Sequence, residues 1–131
     1  MVRRFVKTMK STKDLILEFF GTFPTDPADD GWQDLLAPDM KFHSPLDTTN
    51  SKEEFIPLDL RFRSLARSAT VKWVIVEENY ASVLVAYEMV LPNGYTLNIE
   101  FSEIIETENQ KIKSIRVFFD TLEFHEFWTK A

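Results

Sequence analysis

The sequence contains no cysteine, and only three of its 131 residues are glycine. The absence of cysteine excludes disulfide bonds, thiol nucleophiles and thiolate metal sites. The glycines are isolated at positions 21, 31 and 94, so the chain lacks a glycine-rich loop that could hold phosphate groups, and nucleotide binding by the common motifs is excluded. Only two histidines are present, and we predict neither a metal site nor a cofactor.

Basic charge and long apolar segments are also scarce. Fifteen Lys and Arg are outnumbered by 21 Asp and Glu, which gives a formal net charge of −6. This balance disfavours nucleic acid, which requires a basic surface. No apolar run approaches the roughly 20 residues that cross a bilayer, and residues 1–10 are basic without the apolar segment of a signal peptide. We expect a cytoplasmic protein without a membrane partner, and a flexible basic arm over residues 1–10.

Hydrophobic residues are abundant, at 44% of the sequence, and twelve residues are phenylalanine. This content is typical of a packed globule and not of a disordered chain. A length of 131 residues is sufficient for one domain with a substantial core and too short for two. We therefore predict a single domain over residues 1–131.

Helical patterns are confined to the first half of the chain and to its end. A capping box, a serine followed by an acid three residues later, opens a predicted helix over about 11–21. A short helix is predicted over 30–36. A second capping box opens a helix over about 51–65, in which Pro57 can cause a kink or an early end. Residues 121–128 form an amphipathic tail.

Strand patterns dominate the second half. Four long strands are predicted at about 69–78, 81–91, 95–106 and 111–120, separated by turn residues, after a short strand at 40–45. Segregated helices and strands predict an α+β fold, in which N-terminal helices pack on a strongly curved antiparallel sheet and a cavity opens between the first helix and the sheet. A parallel sheet, or a strand before residue 38, would contradict this prediction.

Two segments, Asp30–Pro45 and Gln110–Arg116, strengthen the similarity of this element order to a known superfamily. Over roughly residues 11–120 the chain resembles the SnoaL-like and ketosteroid-isomerase-like branch of the nuclear-transport-factor-2-like superfamily. The resemblance implies a cone-shaped, cystatin-like architecture. Members of this superfamily include isomerases, polyketide cyclases, dehydratases, epoxide hydrolases and proteins that only bind, so the fold alone does not decide the function.

The resemblance allows the catalytic groups of the steroid isomerases to be matched to this sequence. Their base, a carboxylate before the proline of the short strand, matches Ser44. Their buried neutral acid matches Ser102, and their tyrosine on the first helix matches Phe19 or Phe20. Because none of these residues supplies the required acid or phenol, steroid isomerisation by that set of groups is not expected.

The resemblance places five residues inside the cone, namely Tyr87, Asn98, Glu100, Ser102 and Phe119. Burial in an apolar cone favours the neutral form of a carboxyl group, so Glu100 is a candidate base that titrates near neutral pH. Tyr87 and Ser102 would donate hydrogen bonds to a carbonyl or hydroxyl group. Alternatively, Glu100 forms a cross-strand ion pair with a basic residue of the last strand: Arg116, Lys111 or Lys113.

A second candidate pair is His43 and Asp120, at the ends of the short strand and the last strand. Imidazole transfers protons near pH 7, although alternation places both residues on the face opposite Phe42 and Phe119, at the rim or in a subunit contact. Three further residues complete the predicted ligand-binding set: Ser44, Trp32 and Phe42. Large aromatic side chains most often pack in a core, which is the alternative for the last two.

Two functions are compatible with these residues, and the sequence leaves open whether the protein is an enzyme. The first is acid–base catalysis without a cofactor, of the isomerase, cyclase or dehydratase type, on a small apolar carbonyl or hydroxyl compound. The second is a ligand-binding or protein-interaction module without catalysis. An enclosed pocket of roughly a few hundred Å³ with a convergent carboxylate favours the first, and a cone filled by its own phenylalanines favours the second.

The outer face of the predicted sheet carries an apolar stripe, formed by Leu84, Ala86, Val90, Leu97, Ile99, Phe101 and Phe118. Such a stripe is too large to remain exposed on a soluble protein. We predict a homodimer with two-fold symmetry that buries this stripe.

Overall fold

Residues 9–26 and 28–130 are described by the structure, a computed structural model; the predicted basic arm over 1–10 lies almost entirely outside them. Three α-helices lie against one face of a six-stranded sheet. The helices are α1 (Thr12–Gly21), α2 (Lys52–Leu65) and α3 (Thr121–Thr129), and a 3-10 helix spans Gly31–Leu35. The strands are β1 (Leu36–His43), β2 (Thr48–Thr49), β3 (Ala66–Glu77), β4 (Tyr80–Val90), β5 (Thr96–Glu108) and β6 (Lys111–Phe118).

Both predicted helix starts are confirmed. Before α1, Ser11 Oγ accepts a hydrogen bond from Asp14 N, and the Asp14 carboxylate accepts one from Ser11 N. Before α2, Ser51 Oγ accepts from Glu54 N, whereas the Glu54 side chain accepts from Asn50 N, one residue before the cap. These bonds satisfy amide groups that have no partner within the helix. Pro57 lies inside α2 without ending it.

The sheet has the strand order β2-β1-β6-β5-β4-β3, and β3 to β6 pair antiparallel as predicted. The predicted α+β fold class is confirmed, although β1 meets in part the two conditions that were expected to contradict it. β1 begins at Leu36, before residue 38, and it pairs parallel with β6. The register of this pair is irregular between Leu36 and Lys41, and this stretch contains Pro38. Proline has no N–H to donate to a regular ladder, so it is tolerated where the ladder is interrupted.

The register between β4 and β5 decides which side chains face the helices. Tyr87 lies opposite Ile99, Val85 opposite Phe101, and Val83 opposite Glu103. Directly paired residues point to the same face, so the odd-numbered residues of both strands face inward. The predicted inward position of Asn98, Glu100 and Ser102 is therefore wrong, because a shift by one residue moves every side chain to the other face.

The predicted outer stripe is correct in part. Leu84, Ala86, Val90 and Phe118 lie on the outer face, whereas Leu97, Ile99 and Phe101 are buried on the inner face.

Across the described residues, no helix has the length and apolar character needed to cross a bilayer.

The last helix begins at Asp120, whose carboxylate Oδ1 accepts hydrogen bonds from Leu122 N and Glu123 N. The helix then packs Phe124 and Phe127 into the core. Asp120, predicted as a catalytic residue, thus has a clear structural task as the N-cap of α3.

We predict that Asp120→Ala lowers the free energy of unfolding by about 1 kcal/mol, because it leaves two amide groups at the start of α3 without an acceptor. Asp120→Asn should retain most of the stability, since its amide oxygen can accept the same bonds. Urea denaturation followed by circular dichroism measures both variants. Equal stability of Asp120→Ala and the parent protein would contradict this role.

Candidate functional site

A cavity lies between the three helices and the inner face of the sheet. The volume open to the centre of a water-sized sphere is about 60 Å³, and the whole empty space, including the mouth open to solvent, is about 590 Å³. One water needs roughly 10–15 Å³ on the first measure. The enclosed part therefore has room for roughly four to six waters, and an organic molecule would also occupy the open mouth. Ten of its lining residues are aromatic: Phe19, Phe23, Phe42, Phe55, Phe62, Tyr87, Phe101, Phe119, Phe124 and Trp128.

The polar lining is acidic. It includes the carboxyl groups of Asp47, Asp59 and Glu103, and among the described lining residues there is no Lys, Arg or His. The hydroxyl group of Ser44 also lines the cavity, but its Oγ accepts hydrogen bonds from Leu46 N and Asp47 N. Ser44 thus stabilises the turn after β1 and is already engaged.

Glu103 is the most buried of these acids, with 3% of its surface exposed. Tyr87 Oη donates a hydrogen bond of 2.9 Å to Glu103 Oε2, and Glu103 has no salt-bridge partner among residues 9–26 and 28–130. Burial raises the pKa of Glu103 to about 8; the bond from Tyr87 opposes the shift, and the charge of Asp59 adds to it. Glu103 is therefore mainly protonated at pH 7 and loses its proton as the pH rises through about 8.

The pKa of Tyr87 is also raised well above its usual value, first by burial and then by the charge of Glu103 and their hydrogen bond. The phenol consequently keeps its proton across the physiological range. It acts as a fixed donor that orients the Glu103 carboxyl group.

Asp59 and Arg63 form a second buried group, one turn apart on α2. Arg63 Nε lies 2.7 Å from Asp59 Oδ2, and Arg63 Nη1 donates to the hydroxyl groups of Thr22 and Thr25. Burial raises the pKa of Asp59, and the Arg63 guanidinium opposes this shift. Arg63 thus provides a counter-ion for the Asp59 carboxylate. Among the described residues, Glu103 is buried without such a partner.

Aromatic rings hold Arg63 in place. Its guanidinium carbon lies 3.9 Å from the ring centroid of Trp32 and 4.1 Å from that of Phe23. Only 2% of Arg63 is exposed. Arg63 Nη2 and Trp32 Nε1 are buried without a hydrogen-bond partner within the described part of the chain, and the cation–π contacts add to the stabilisation that the ion pair with Asp59 provides.

The structure brings four of the predicted site residues to the cavity: Tyr87, Ser44, Phe42 and Phe119. Trp32 does not line the cavity; it packs in the core against Phe19 and Arg63. For Trp32, core packing, the alternative given above to ligand binding, is therefore correct.

The other predicted residues lie elsewhere. Glu100 is exposed on the outer face opposite Ala86, and Asn98 and Glu100 line a shallow groove there. Glu100 has no ion pair among the described residues, so its predicted cross-strand salt bridge is absent from that part of the chain. His43 contacts Thr48 on the exposed side of β1, at 3.1 Å between Nδ1 and Oγ1, and is not hydrogen-bonded to Asp120, within these residues.

The sequence interpretation missed Glu103, Asp59 and Arg63. A signal for Glu103 existed, because the odd positions of β5 are mostly apolar and the polar residues before Glu103 occupy even positions; alternation therefore indicates that the odd positions face the core. Asp59 and Arg63 gave no such signal, since opposite charges four residues apart are common on exposed helix surfaces. Among residues 9–26 and 28–130, no three potential metal ligands converge.

Comparison with known proteins establishes the fold. No family model and no curated protein sequence matches the chain. An NTF2-like (nuclear-transport-factor-2-like) protein of unknown function from Cytophaga hutchinsonii ATCC 33406 has a TM-score of 0.73 at 22% identity, with 92% of this chain and 99% of that chain covered. A protein assigned as a SnoaL-like polyketide cyclase from Jannaschia sp. CCS1 has a TM-score of 0.73 at 16% identity, with 95% of each chain covered.

A third similar structure is a protein with a ketosteroid-isomerase-like fold from Catenulispora acidiphila DSM 44928, solved in complex with trimethylamine. It has a TM-score of 0.72 at 11% identity, with 86% of this chain and 90% of that chain covered. The predicted resemblance is confirmed at the level of the fold, which is the NTF2-like cone that these SnoaL-like and ketosteroid-isomerase-like proteins share. Identities this low establish no activity.

We predict that the stability difference between Glu103→Gln and the parent protein depends on pH. Between the usual glutamate pKa and about 8, the folded protein binds a proton at Glu103 that the unfolded chain has lost. The contribution of Glu103 to stability therefore falls as pH rises through this window, by at most about 1.4 kcal/mol per pH unit. Glu103→Gln removes this loss and should be more stable than the parent by roughly 2 kcal/mol or more at pH 7 to 8.

Urea denaturation at pH 5, 6, 7 and 8 measures this difference. The matched control is Glu100→Gln, an exposed position on the same strand, which should change stability by less than about 0.5 kcal/mol at every pH. A constant difference between Glu103→Gln and the parent from pH 5 to 8 would show that Glu103 titrates normally and would contradict its buried state.

Proposed function

We propose that the cavity binds a small, largely apolar carbonyl or hydroxyl compound, and that Glu103, oriented by Tyr87, is the acid–base group that acts on it. One observation carries this proposal. The Glu103 carboxyl group is buried in the wall of an aromatic cavity, accepts a hydrogen bond from Tyr87 and has no compensating cation among the described residues. The catalytic role that the sequence favoured for Glu100 is thereby assigned to Glu103.

Two protonation states give Glu103 two capacities. The neutral acid can donate its proton to a carbonyl or hydroxyl oxygen, and the carboxylate can remove a proton from a carbon next to a carbonyl group. A group that titrates near the working pH is suited to both steps. With a pKa of about 8, Glu103 is mainly the acid at neutral pH and becomes the base as pH rises.

Removal of a proton by Glu103 is a balanced step. The carboxylate accepts a proton from the α-carbon, the electrons of the C–H bond form a carbon–carbon double bond, and the carbonyl electrons move to oxygen to give an enolate. Return of the proton to the same carbon exchanges its hydrogen, and return to another carbon isomerises the compound. No oxidant, reductant or metal is needed for either outcome.

A second candidate function is ligand binding without catalysis. The small inner volume favours it, because phenylalanine side chains occupy much of the cone: Phe101 stacks on Phe119 at 4.5 Å between centroids, and Phe119 contacts Phe124 at 4.6 Å. The trimethylamine complex of a similarly folded protein supports binding of a small organic molecule in either case.

Hydrogen exchange at the α-carbon of a simple aryl ketone tests the catalytic proposal without knowledge of the natural substrate. We predict that the parent protein accelerates deuterium uptake into the methyl group of acetophenone in D₂O, measured by proton NMR. The rate should rise about tenfold per pH unit below 8 and level off above it, because the carboxylate is the active form. Glu103→Gln should reduce the rate to the background.

Glu100→Gln is the control and should exchange acetophenone at the parent rate. Exchange that survives in Glu103→Gln would exclude Glu103 as the base. If acetophenone shifts NMR signals of cavity residues but no exchange is accelerated, the protein binds without catalysis, as the second candidate states.

We also propose that a second copy of the chain covers the outer face of the sheet. The pairing register aligns Trp73, Leu84, Ser102 and Phe118 in one row across four strands. The neighbouring row consists of Ile75, Ser82, Ile104 and Arg116. Trp73 is 42% exposed and Phe118 47%, so the two rows form a partly apolar patch that also contains Ser82, Ser102 and Arg116. A homodimer with two-fold symmetry buries the same patch on both copies.

Size-exclusion chromatography with light scattering tests the assembly. The parent protein is expected to be a dimer at micromolar concentration, and Phe118→Glu should convert it to a monomer, because two-fold symmetry brings a new charge into the interface from both copies. Leu122→Glu is the control, since Leu122 is exposed on α3, away from the sheet. A monomeric parent protein would contradict the proposal.

A further inference from the structure

We infer that the cavity prefers ligands that carry an ammonium group over neutral ligands of the same shape, and that it rejects carboxylates. This inference rests on the proposed function, because it assigns a charge class to the ligand of the same site. It is supported by the distribution of charge around the cavity and by the aromatic lining, which are independent observations.

The charge distribution is one-sided. Asp47 reaches the cavity from the turn between β1 and β2, Asp59 from α2 and Glu103 from β5. No basic side chain belongs to the lining within the described ranges. Arg63 lies next to this lining, with its Nε 2.7 Å from Asp59 Oδ2. A ligand therefore meets one acid that is compensated and two that are not.

The aromatic cluster is also suited to a cation. Part of it already holds one, since the Arg63 guanidinium carbon lies 4.1 Å from the centroid of Phe23 and 5.0 Å from that of Phe19. Phe23 and Phe19 also line the cavity. An ammonium group in the cavity would meet the negative faces of such rings, which offset part of the cost of removing it from water.

Glu103 supplies the specific partner. Its carboxyl group is hydrogen-bonded to Tyr87, and the Tyr87 ring contacts Phe62 at 5.0 Å and Phe101 at 4.9 Å between centroids. An ammonium group can donate a hydrogen bond to the ionised carboxyl and act as the counter-ion that Glu103 lacks. A neutral alcohol offers no charge, and a carboxylate is repelled by Asp47 and by the ionised form of Glu103.

Three probes of nearly equal shape separate these classes: benzylammonium, benzyl alcohol and benzoate. Isothermal titration calorimetry at pH 7.5 should show binding of benzylammonium at least tenfold tighter than that of benzyl alcohol, and no measurable binding of benzoate. In Glu103→Gln the preference for benzylammonium should fall at least fivefold, whereas the affinity for benzyl alcohol should change less than threefold. Glu100→Gln, on the outer face of the same strand, should leave all three affinities unchanged.

The pH dependence provides a second readout. The groups that face Glu103 are Tyr87 on β4 and the Asp59–Arg63 pair on α2, with Asp47 at the turn after β1. Because the ammonium ion binds the carboxylate and not the neutral acid, its affinity should rise up to about tenfold between pH 6 and pH 7 and become constant above pH 8. Proton release on binding, obtained from calorimetry in two buffers, should accompany this rise. The affinity for benzyl alcohol should not increase with pH.

The outcomes separate this inference from the proposed function. Binding of benzyl alcohol as tight as that of benzylammonium overturns the inference and leaves the proposed site intact. A preference for benzylammonium that survives in Glu103→Gln overturns the assignment of Glu103 as its partner. Failure of the parent protein to bind any of the three probes counts against the inference and the proposed function together.

Discussion

The proposed chemistry of this cavity depends on one buried carboxyl group that has no counter-ion among the described residues. Glu103 extends from the centre of a long strand into a space lined by aromatic rings, and Tyr87 is its hydrogen-bond donor. Desolvation disfavours the charged form of such a group and moves its pKa toward neutrality. The proposed acid–base activity, the predicted decline of stability with rising pH and the proposed preference for a cationic ligand all follow from this burial.

The rest of the fold keeps Glu103 in this state. The β4–β5 register turns Glu103 inward beside Val83 and Phe101, and α2 closes the opposite side. Arg63 neutralises Asp59 within a group of aromatic rings and threonine hydroxyls, so it is not available to Glu103. A buried charge is costly without a partner. Of the acids that line the cavity, only Asp59 has a salt bridge within the described residues, and burial still raises its pKa. Asp59 has a cationic partner and Glu103 has none among the described residues, so negative charge in the cavity would be concentrated at Glu103 when it ionises.

Much of the fold follows from the sequence, because capping boxes, apolar spacing and turn residues are local signals. Ser11 and Ser51 mark the helix starts, and the long strands differ from their predicted limits by three residues or fewer. The parallel pairing of β1 with β6 has no local signal, since it depends on how distant segments meet. The inner face of β5 was predicted wrongly because the resemblance to steroid isomerases placed Ser102 inside, although alternation of Leu97, Ile99 and Phe101 with polar neighbours indicates the opposite face.

The most direct test of this account is an NMR titration of the Glu103 carboxyl carbon in uniformly labelled protein, with Glu103→Gln used to assign its signal. The account predicts a midpoint near pH 8, and a return toward lower pH when a cationic ligand fills the cavity. A midpoint near the usual glutamate value, about 4.3, would show that Glu103 is solvated in the native protein. That result would contradict the proposed acid–base role and the ligand preference derived from it.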